Sequence, residues 1–412
     1  MPLPALRYVD VVPIEHEGES YICLADPQGY VDGQLLLSPM AYFIASMLDG
    51  RNGVEEIRQI FINQFGRDLL SGEDIHKVVA KLDDEGFLNT ERFFTLQQEV
   101  DQCFAEQASR PAYLADRSYP GDPAELREFL DTCFREAGIT PTLTPPKKQK
   151  KEKPLRGLVV PHIDFHRGGA AYAQGYDRLY KSGRPEAVIV FGVAHAAPPA
   201  PFVLTRKAFE TPFGAVPNAV ELVDELAEAC SWDPFLHEGV HRTEHSIEFQ
   251  AVMLAYLYGS AVPIVPVLCS QFAPGFVSQA DESGEDPEPF LEACAAIVRR
   301  SKGRIAVIAG ADLAHVGQRF GDAFTISDAI IDEVGKRDKE DIEHALKGDA
   351  RGFYSSVMKD QNARRVCGLN CIYATLRALD GTAGAGANEL AHYDYAHDPA
   401  GGIVSFANLI MP

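Results

Sequence analysis

The sequence lacks any long apolar segment and any secretion signal. No apolar run approaches the roughly 20 residues that a membrane-spanning helix requires. The first ten residues have neither the basic start nor the apolar stretch of a signal peptide. These two absences argue against both an integral membrane protein and a secreted one. We therefore expect a cytoplasmic protein without a membrane partner.

Positive charge is also scarce. The chain carries 38 Lys and Arg against 59 Asp and Glu, for a formal net charge of -21. Such an excess of negative charge repels the phosphates of nucleic acids, and we therefore expect no nucleic-acid partner. The basic residues that do cluster, at 140–154, stand among prolines and predict an exposed connection without a packed core.

Cysteines are few for the length of the chain. Eight are spread over 412 residues, a density that favours reduced thiols over a disulfide framework. The 46% hydrophobic composition is ample for sizeable cores. Because 412 residues exceed one typical domain, we expect two.

Residues 1–95 predict a small N-terminal α+β domain. Short strands over 10–34 precede three helices, the first of which begins at Pro39 with Ser38 as its N-cap. The third helix, with Ile75 and Leu82 on one apolar stripe, leads into a short strand at Phe87. This pattern is typical of a winged-helix-like module. Residues 96–106 predict a helical linker to the next domain.

The N-terminal domain also resembles the peptide-chaperone modules of cofactor-peptide biosynthesis. The resemblance rests on three segments: Leu48-Asp-Gly, Val54-Glu-Glu-Ile and Leu82-Asp-Asp-Glu-Gly-Phe-Leu. It implies a module that binds a peptide. The alternative is a structural cap with no ligand of its own.

Residues 107–412 predict one α/β domain in which strands and helices alternate. Four apolar, β-branched runs have the length and composition of buried parallel strands: 158–160, 187–191, 261–268 and 305–309. Amphipathic segments separate them, and a strand pair closes the chain. We therefore expect a mostly parallel sheet with helices on both faces.

Reactive side chains follow several of these elements. His162 and His195 each come directly after a strand, and Asp312 and His315 follow a third. Cys367 precedes a glycine at a predicted helix start, a location that lowers the pKa of a thiol. Because open α/β sheets bind ligands at the carboxyl ends of their strands, we expect these side chains to share one pocket.

The donor types indicate a transition metal. Two imidazoles and one thiolate with an open coordination position suit Fe, Cu or Zn better than Mg or Ca. Asp312 and His315, three positions apart, suit proton transfer by an oriented imidazole.

A second histidine cluster supports a different hypothesis. His241, Glu244 and His245 match the inverted zinc-hydrolase motif, which requires both histidines on one face of a helix. Gly239 and Thr243 would instead leave His241 outside the helix. In that case Glu244 and His245 would enter the pocket from a helix start, with Glu248 on the same face or in a buried ion pair.

Together these motifs make residues 107–412 resemble the Memo family, called AmmeMemoRadiSam system protein B in prokaryotes. The matching segments, in chain order, are Arg110-Pro-Ala-Tyr-Leu-Ala, Tyr119-Pro-Gly-Asp-Pro, Pro161-His162, Gly168-Gly169, Gly192-Val-Ala-His195, Glu244-His245-Ser-Ile-Glu248-Phe-Gln, Asp312-Leu-Ala-His315-Val-Gly and Cys367-Gly.

The resemblance implies a fold similar to class III extradiol dioxygenases of the LigB type. It implies that His162, His195 and Cys367 bind a metal, with iron or copper favoured and zinc as the alternative. The residues lining the pocket would be His315, Asp312, His245 and Glu244. The family name also implies a radical-SAM enzyme and an AMMECR1-like protein as partners.

The sequence departs from the family pattern after the first ligand. The family usually has His-Ala-Gly-Tyr there, whereas this chain has His162-Ile-Asp164-Phe-His166. We expect this change to place a carboxylate and an imidazole beside the metal, with a structural role for His166 as the alternative.

Two hypotheses of function follow. The first is a metal-dependent oxidoreductase with dioxygenase-like chemistry on a small molecule or peptide, in which His315, held by Asp312, moves a proton. The second is a non-catalytic protein that presents a peptide or a metal to a radical-SAM enzyme.

Overall fold

The computed structural model describes residues 1–16, 18–66, 70–141, 155–272, 285–380 and 387–412. Most of the basic connection predicted at 140–154 lies outside these residues. The chain separates into two compact units, Met1–Glu106 and Gln107–Pro412. No helix in the described ranges is both long enough and apolar enough to cross a membrane.

The N-terminal unit consists of an antiparallel sheet followed by helices. Its strands are β1 (Asp10–His16), β2 (Glu19–Ala25) and β3 (Gln34–Leu37), in that order across the sheet. Its helices are α1 (Pro39–Ser46), α2 (Val54–Phe65), α3 (Gly72–Asp84) and α4 (Glu91–Glu106). The hydroxyls of Ser38 and Ser71 cap α1 and α3, as their position before each helix predicts.

The sheet of this unit precedes the helices in the chain. After α3, Leu88 forms only an isolated bridge with Leu6 in the described residues, and α4 then begins. Residues 96–106, predicted as a helical linker, continue α4 and belong to the same compact unit. The winged-helix interpretation of this unit stays a prediction.

The second unit is built from alternating strands and helices. Its strands are β4 (Ser109–Arg110), β5 (Gly157–Val160), β6 (Ala187–Val193), β7 (Phe202–Leu204), β8 (Ala208–Phe209), β9 (Ile264–Cys269), β10 (Ile305–Gly310), β11 (His315–Gly317), β12 (Glu389–Asp398) and β13 (Gly402–Met411). Its helices are α5 (Pro123–Glu136), α6 (Phe165–Ser182), α7 (Val220–Ala227), α8 (His245–Tyr258), α9 (Glu288–Ser301), α10 (Asp328–Leu346), α11 (Ala350–Met358) and α12 (Leu369–Ala378).

An eight-stranded sheet forms the centre of this unit. Its order is β11-β13-β5-β10-β6-β9-β7, with β12 paired to β13. The strands β5, β10, β6 and β9 are parallel, whereas the edges are antiparallel. The predicted α/β class is thus confirmed, with a sheet that is parallel through its centre.

Helices cover both faces of the sheet, and the central strands are therefore buried on both sides. Leu158 and Val160 of β5 join one core with α6 and α8, whereas Val159 joins the other with α9 and α12. Each fully buried aliphatic side chain of this kind contributes about 1.5–3 kcal/mol to stability. The near-continuous apolar runs of the sequence therefore reflect burial on both faces.

Candidate metal centre

Three predicted ligands meet at the carboxyl edge of the sheet. The ligand atoms of His162, His195 and Cys367 all lie within 4.8 Å of one another. His162 follows β5, His195 follows β6, and Cys367 precedes α12. The Sγ atom of Cys367 lies 3.4 Å from Nε2 of His162. Residues far apart in the chain thus form a group able to hold a metal ion.

Backbone groups hold His162 in a single orientation. Its Nδ1 atom lies 2.9 Å from the carbonyl oxygen of Gly310, which can only accept, so Nδ1 carries the proton. Its backbone N–H donates to Oδ1 of Asp312 at 2.9 Å. Burial lowers the pKa of His162, although Asp312 opposes this shift. The neutral ring therefore keeps Nε2 available as a metal ligand.

A carboxylate rather than the backbone holds His195. Its backbone N–H donates to Oε2 of Glu244 at 3.0 Å, and its Nδ1 lies 3.0 Å from Oε1. Burial acts to lower the pKa of His195, but Glu244 outweighs it and the pKa is raised. Since Nδ1 donates a hydrogen bond to Glu244, Nε2 is again the nitrogen left for a metal.

The thiol of Cys367 differs from the sequence prediction. Burial raises the pKa of Cys367 well above its usual value, and the Asp312 carboxylate raises it further. The expectation that the helix start would lower this pKa is therefore wrong when no metal ion is bound. A coordinated cation would reverse the balance, because a metal-bound cysteine loses its proton.

Glu244 and His245 lie at the start of α8, which borders the site. Glu244 is the N-cap of α8, and its Oε1 accepts the Ser246 N–H at 3.0 Å. Burial acts to raise the pKa of Glu244, but the neighbouring imidazoles hold it well below its usual value. Burial lowers the pKa of His245 to about 3. An ionised carboxylate thus faces neutral imidazole at this helix start.

Three imidazole rings surround the site. The ring centroids of His162 and His195 are 5.2 Å apart, those of His162 and His245 5.2 Å, and those of His195 and His245 4.7 Å. The last pair is stacked, with an interplanar angle of 17°. His195, Glu244 and His245 form a second group whose ligand atoms lie within 4.8 Å of one another.

The sequence predicted that Asp312 holds His315, but no hydrogen bond joins these two side chains in the described residues. Nδ1 of His315 instead lies 3.1 Å from the carbonyl oxygen of Leu313. The side chain of Asp312 accepts the His162 N–H instead. Burial lowers the pKa of His315, and Asp312 opposes this shift only through its charge. The Asp312 carboxylate therefore contacts the backbone just after β5 and not the His315 ring.

The zinc-hydrolase alternative fails on the position of His241. This residue lies in a 3₁₀ turn, Glu238–Arg242, before α8 begins at His245. Its Nε2 donates to the Val203 carbonyl at 3.1 Å, and the ring is almost fully buried. The two histidines therefore do not share a helical face, and His241 is absent from both metal-binding groups found among the described residues.

Asp164 and His166 are absent from both candidate metal-binding groups found among the described residues, and their position beside the metal stays a prediction. Asp164 caps α6, where its carboxylate accepts the Arg167 N–H at 3.2 Å and pairs with its side chain. His166 is exposed, with its ring 4.9 Å from that of Phe129.

A buried ion pair supports the backbone just before α8. The sequence suggested such a pair for Glu248 only as an alternative. Arg110 and Glu248 are fully buried and paired. The guanidinium also donates to the carbonyl oxygens of His241 at 2.9 Å and Glu244 at 3.0 Å. The phenol of Tyr119 donates to Glu248 as well. The Arg-Pro-Ala-Tyr segment thus fixes the backbone that carries Glu244.

Two glycines allow α8 to approach the sheet closely. A Cβ at Gly192 would lie 2.5 Å from Cγ1 of Ile247, and one at Gly310 would lie 2.6 Å from the carbonyl oxygen of Ser246. Either side chain would displace the first turn of α8. This close contact places His245 next to the strand ends that carry the other ligands.

A cavity of about 460 Å³ opens beside His195 and Cys367. Four amide side chains line part of it, namely Gln271, Gln361, Asn362 and Asn370, and apolar side chains such as Phe272 and Leu369 line much of the rest. Six non-glycine residues in the described ranges have positive φ, and four of them line this cavity: Ala197, Gln361, Asn362 and Arg365. Such conformations cost on the order of 1 kcal/mol or more each and concentrate at functional sites. The strained backbone therefore makes this cavity a candidate functional site.

The fold and the donor group together define an α/β protein with a candidate metal centre at the carboxyl edge of its sheet. Residues 110–410 match the family described as Memo-like protein, and the chain belongs to that family. The family prediction from the sequence is therefore confirmed.

Relatives of this chain include full-length matches. A MEMO1 family protein of Aquifex aeolicus is 26% identical over 409 residues, which cover 99% of each chain. One of Methanopyrus kandleri is 29% identical over 307 residues, covering 73% of this chain and 98% of the relative. An uncharacterized Escherichia coli K12 protein of solved structure is 13% identical, with a TM-score of 0.39, and covers 63% of this chain and 100% of its own. That last likeness is too weak to carry an argument, and the dioxygenase-like comparison stays a prediction.

Proposed function

We propose that this chain binds one transition-metal ion through His162, His195 and Cys367 and uses it for redox, dioxygenase-like chemistry on a small polar molecule or peptide. The observation that carries the proposal is the convergence of three donor atoms, within 4.8 Å of one another, from three separate elements. Membership of the Memo-like family supports it.

The donor set fits a metal of the first transition row. Gly310 and Glu244 engage the Nδ1 atoms of the two histidines, which leaves both Nε2 atoms for coordination. Two imidazoles and a thiolate suit iron, copper or zinc, and a redox role favours iron or copper. When bound, such a metal supplies electron transfer and polarises a ligand in its open position.

His315 is the proposed proton carrier. Its Nδ1 proton is held by the Leu313 carbonyl, so Nε2 is the nitrogen that accepts a proton. Burial lowers the pKa of His315, which leaves the ring neutral near pH 7.

The amide-lined cavity is the proposed substrate site. It borders two of the three ligands, His195 and Cys367, and its volume of about 460 Å³ suits a small molecule or a peptide segment. Side-chain amides both donate and accept hydrogen bonds, which favours a substrate that carries amide or hydroxyl groups.

Metal analysis of the full chain tests this proposal. The protein is purified without oxygen, and iron, copper and zinc are measured by mass spectrometry in wild type, H162A and C367S. We expect H162A and C367S each to carry about one equivalent less metal than wild type. H166A is the matched control, because His166 is exposed and absent from both candidate metal-binding groups. Equal metal content in all four proteins would refute the ligand set.

Catalysis needs a separate measurement. Oxygen consumption by the metal-loaded protein in the presence of an added reductant such as ascorbate, absent in H162A, would support the oxidoreductase proposal. The predicted cytoplasmic location stays a prediction, as do the radical-SAM and AMMECR1-like partners. Copurification of the full chain with such an enzyme, without oxygen consumption, would favour a partner role instead.

A further inference from the structure

We propose that a second divalent metal ion binds between His195, Glu244 and His245, with the His195 imidazole shared between the two ions. The second site goes beyond the proposed function, and only the sharing of His195 rests on it. The evident alternative is that Glu244 serves solely as a hydrogen-bond acceptor that orients His195. The two roles predict different numbers of bound ions.

The donor atoms of the second site already surround one point. Oε1 of Glu244 lies 3.0 Å from Nδ1 of His195 and 3.2 Å from Nδ1 of His245. Ligands about 2.0–2.2 Å from a tetrahedral zinc ion are separated from each other by roughly 3.3 Å. The two observed distances are close to this spacing, but because a metal lies in the plane of each imidazole it binds, the nearly parallel rings of His195 and His245 must tilt on binding.

The two stacked imidazoles present their Nδ1 edges to the same carboxylate. The rings of His195 and His245 are 4.7 Å apart and nearly parallel, and both Nδ1 atoms face Glu244. In the first site His195 contributes Nε2, the opposite edge of its ring. One imidazole can thus bind an ion on each edge once both of its ring protons are lost.

The charges near the site favour a second cation. The carboxylates of Glu244 and Asp312 have side-chain exposures of only 4% and 3%. In the ranges that the structure describes, no lysine or arginine forms an ion pair with either. A Cys367 thiolate at the first site would add a third negative charge, so one divalent cation leaves an unbalanced charge in a buried environment. With a shared imidazolate, four negative charges would balance two divalent cations.

Solvent can reach the second site. The side chains of His195 and His245 are 41% and 36% exposed, whereas Glu244 is buried behind them. Two imidazoles and one carboxylate, without a thiolate, suit zinc or ferrous iron more than a soft ion such as Cu(I). We therefore assign the second site to a borderline divalent cation of the zinc type.

Zinc titration of the full chain, stripped with a chelator, tests the inference. Bound Zn²⁺ is counted by equilibrium dialysis in wild type, H245A, C367S and the control H166A. We expect two equivalents in wild type and in H166A, and one in each of H245A and C367S. Thermal melting of every variant verifies that the protein remains folded.

Cobalt substitution identifies which site is lost. Co²⁺ bound by Cys367 gives a sulfur-to-metal charge-transfer band, whereas Co²⁺ at the second site has no thiolate ligand and gives none. We expect the band to persist in H245A and to vanish in C367S, which should still bind one Co²⁺.

Other stoichiometries overturn specific proposals. If wild type and H245A both bind one Zn²⁺ that C367S loses, the second site is refuted and the proposed function stands. If wild type binds one Zn²⁺ that H245A loses and C367S keeps, the proposed ligand set fails and the second site stands alone. If no protein binds Zn²⁺, the second site is refuted, whereas the first site, for which iron or copper is favoured, is decided by the metal analysis of the purified protein.

Discussion

The two sides of the candidate metal centre are built differently. On the buried side, comprising His162, Asp312 and Cys367, backbone groups make most of the contacts, such as the Gly310 carbonyl to His162. On the open side, comprising His195, Glu244 and His245, one carboxylate holds both imidazoles. The buried side is thus fixed by the sheet itself, whereas the open side depends on a side chain that substitution can alter.

Removing Arg110 should have the largest effect on stability and should act through the open side. In R110M the Glu248 carboxylate remains buried without its cation, which costs about 3–5 kcal/mol. Urea unfolding measures the loss. R178M, which breaks the exposed pair with Glu389, should cost less than about 1 kcal/mol. Adding E248L to R110M should restore part of the stability, and equal losses in R110M and R178M would contradict the buried-pair account.

Acid should destabilise the second unit through His241. Burial lowers the pKa of His241 to about 3 in the folded protein, whereas the unfolded chain has the ordinary value near 6.5. As pH falls below about 6.5, the unfolded state takes up a proton that the folded state does not, so stability decreases. Above that pH the effect vanishes.

From pH 6.5 to 4.5 this linkage amounts to about 2–3 kcal/mol. H241Q, whose amide can still donate to the Val203 carbonyl, should lose this part of the pH dependence. Unfolding free energies of wild type and H241Q at pH 7 and 4.5 provide the measurement. Parallel decreases in the two proteins would exclude His241 as the cause.

Glu244→Gln should weaken metal binding more than Asp312→Asn does. Glu244 contacts the His195 ring, and loss of such a partner typically lowers metal affinity about 10–100-fold. The hydrogen bond that Asp312 accepts comes from the backbone N–H of His162, which an asparagine oxygen also accepts, and its other oxygen lies 3.7 Å from the ring Nε2, beyond hydrogen-bond distance. Competition with a zinc-binding dye measures both affinities. The reverse order would show that the buried side depends on its carboxylate more than on the backbone.

The smallest effect is expected for Asp164. D164A removes the cap of α6 and should cost about 1 kcal/mol of stability. Metal content should not change, because Asp164 contacts Arg167 and none of the proposed ligands. Thermal melting and metal analysis give both values. Reduced metal content in D164A would show that Asp164 contributes to metal binding.

The sequence predicted those features that depend on local pattern. The β-branched runs predicted the central parallel strands. The histidines that follow two of these strands, together with the cysteine at a predicted helix start, predicted that His162, His195 and Cys367 would converge. This succeeded because parallel strands bring their carboxyl ends to one edge, whatever the details of packing.

Features that depend on long-range contacts were not predictable. The hydrogen bond from His162 to Gly310 spans 148 residues, and the raised pKa of Cys367 arises from burial that only the folded chain creates. The helix α11 (Ala350–Met358) was missed as well. Positive φ at Gln361, Asn362 and Arg365 leaves no sequence signal, because glycine is the residue that usually marks such positions.

The contact of α8 with the sheet at Gly192 and Gly310 separates two properties of the site. Any side chain at either position would push the first turn of α8 outward, so backbone packing sets the spacing between His245 and the strand ends. Exchanging His245 for another donor residue would change the chemistry at this position without altering that spacing. Redesign for a different metal can therefore proceed by donor substitution alone, whereas a different distance between ions would require repacking the entire helix.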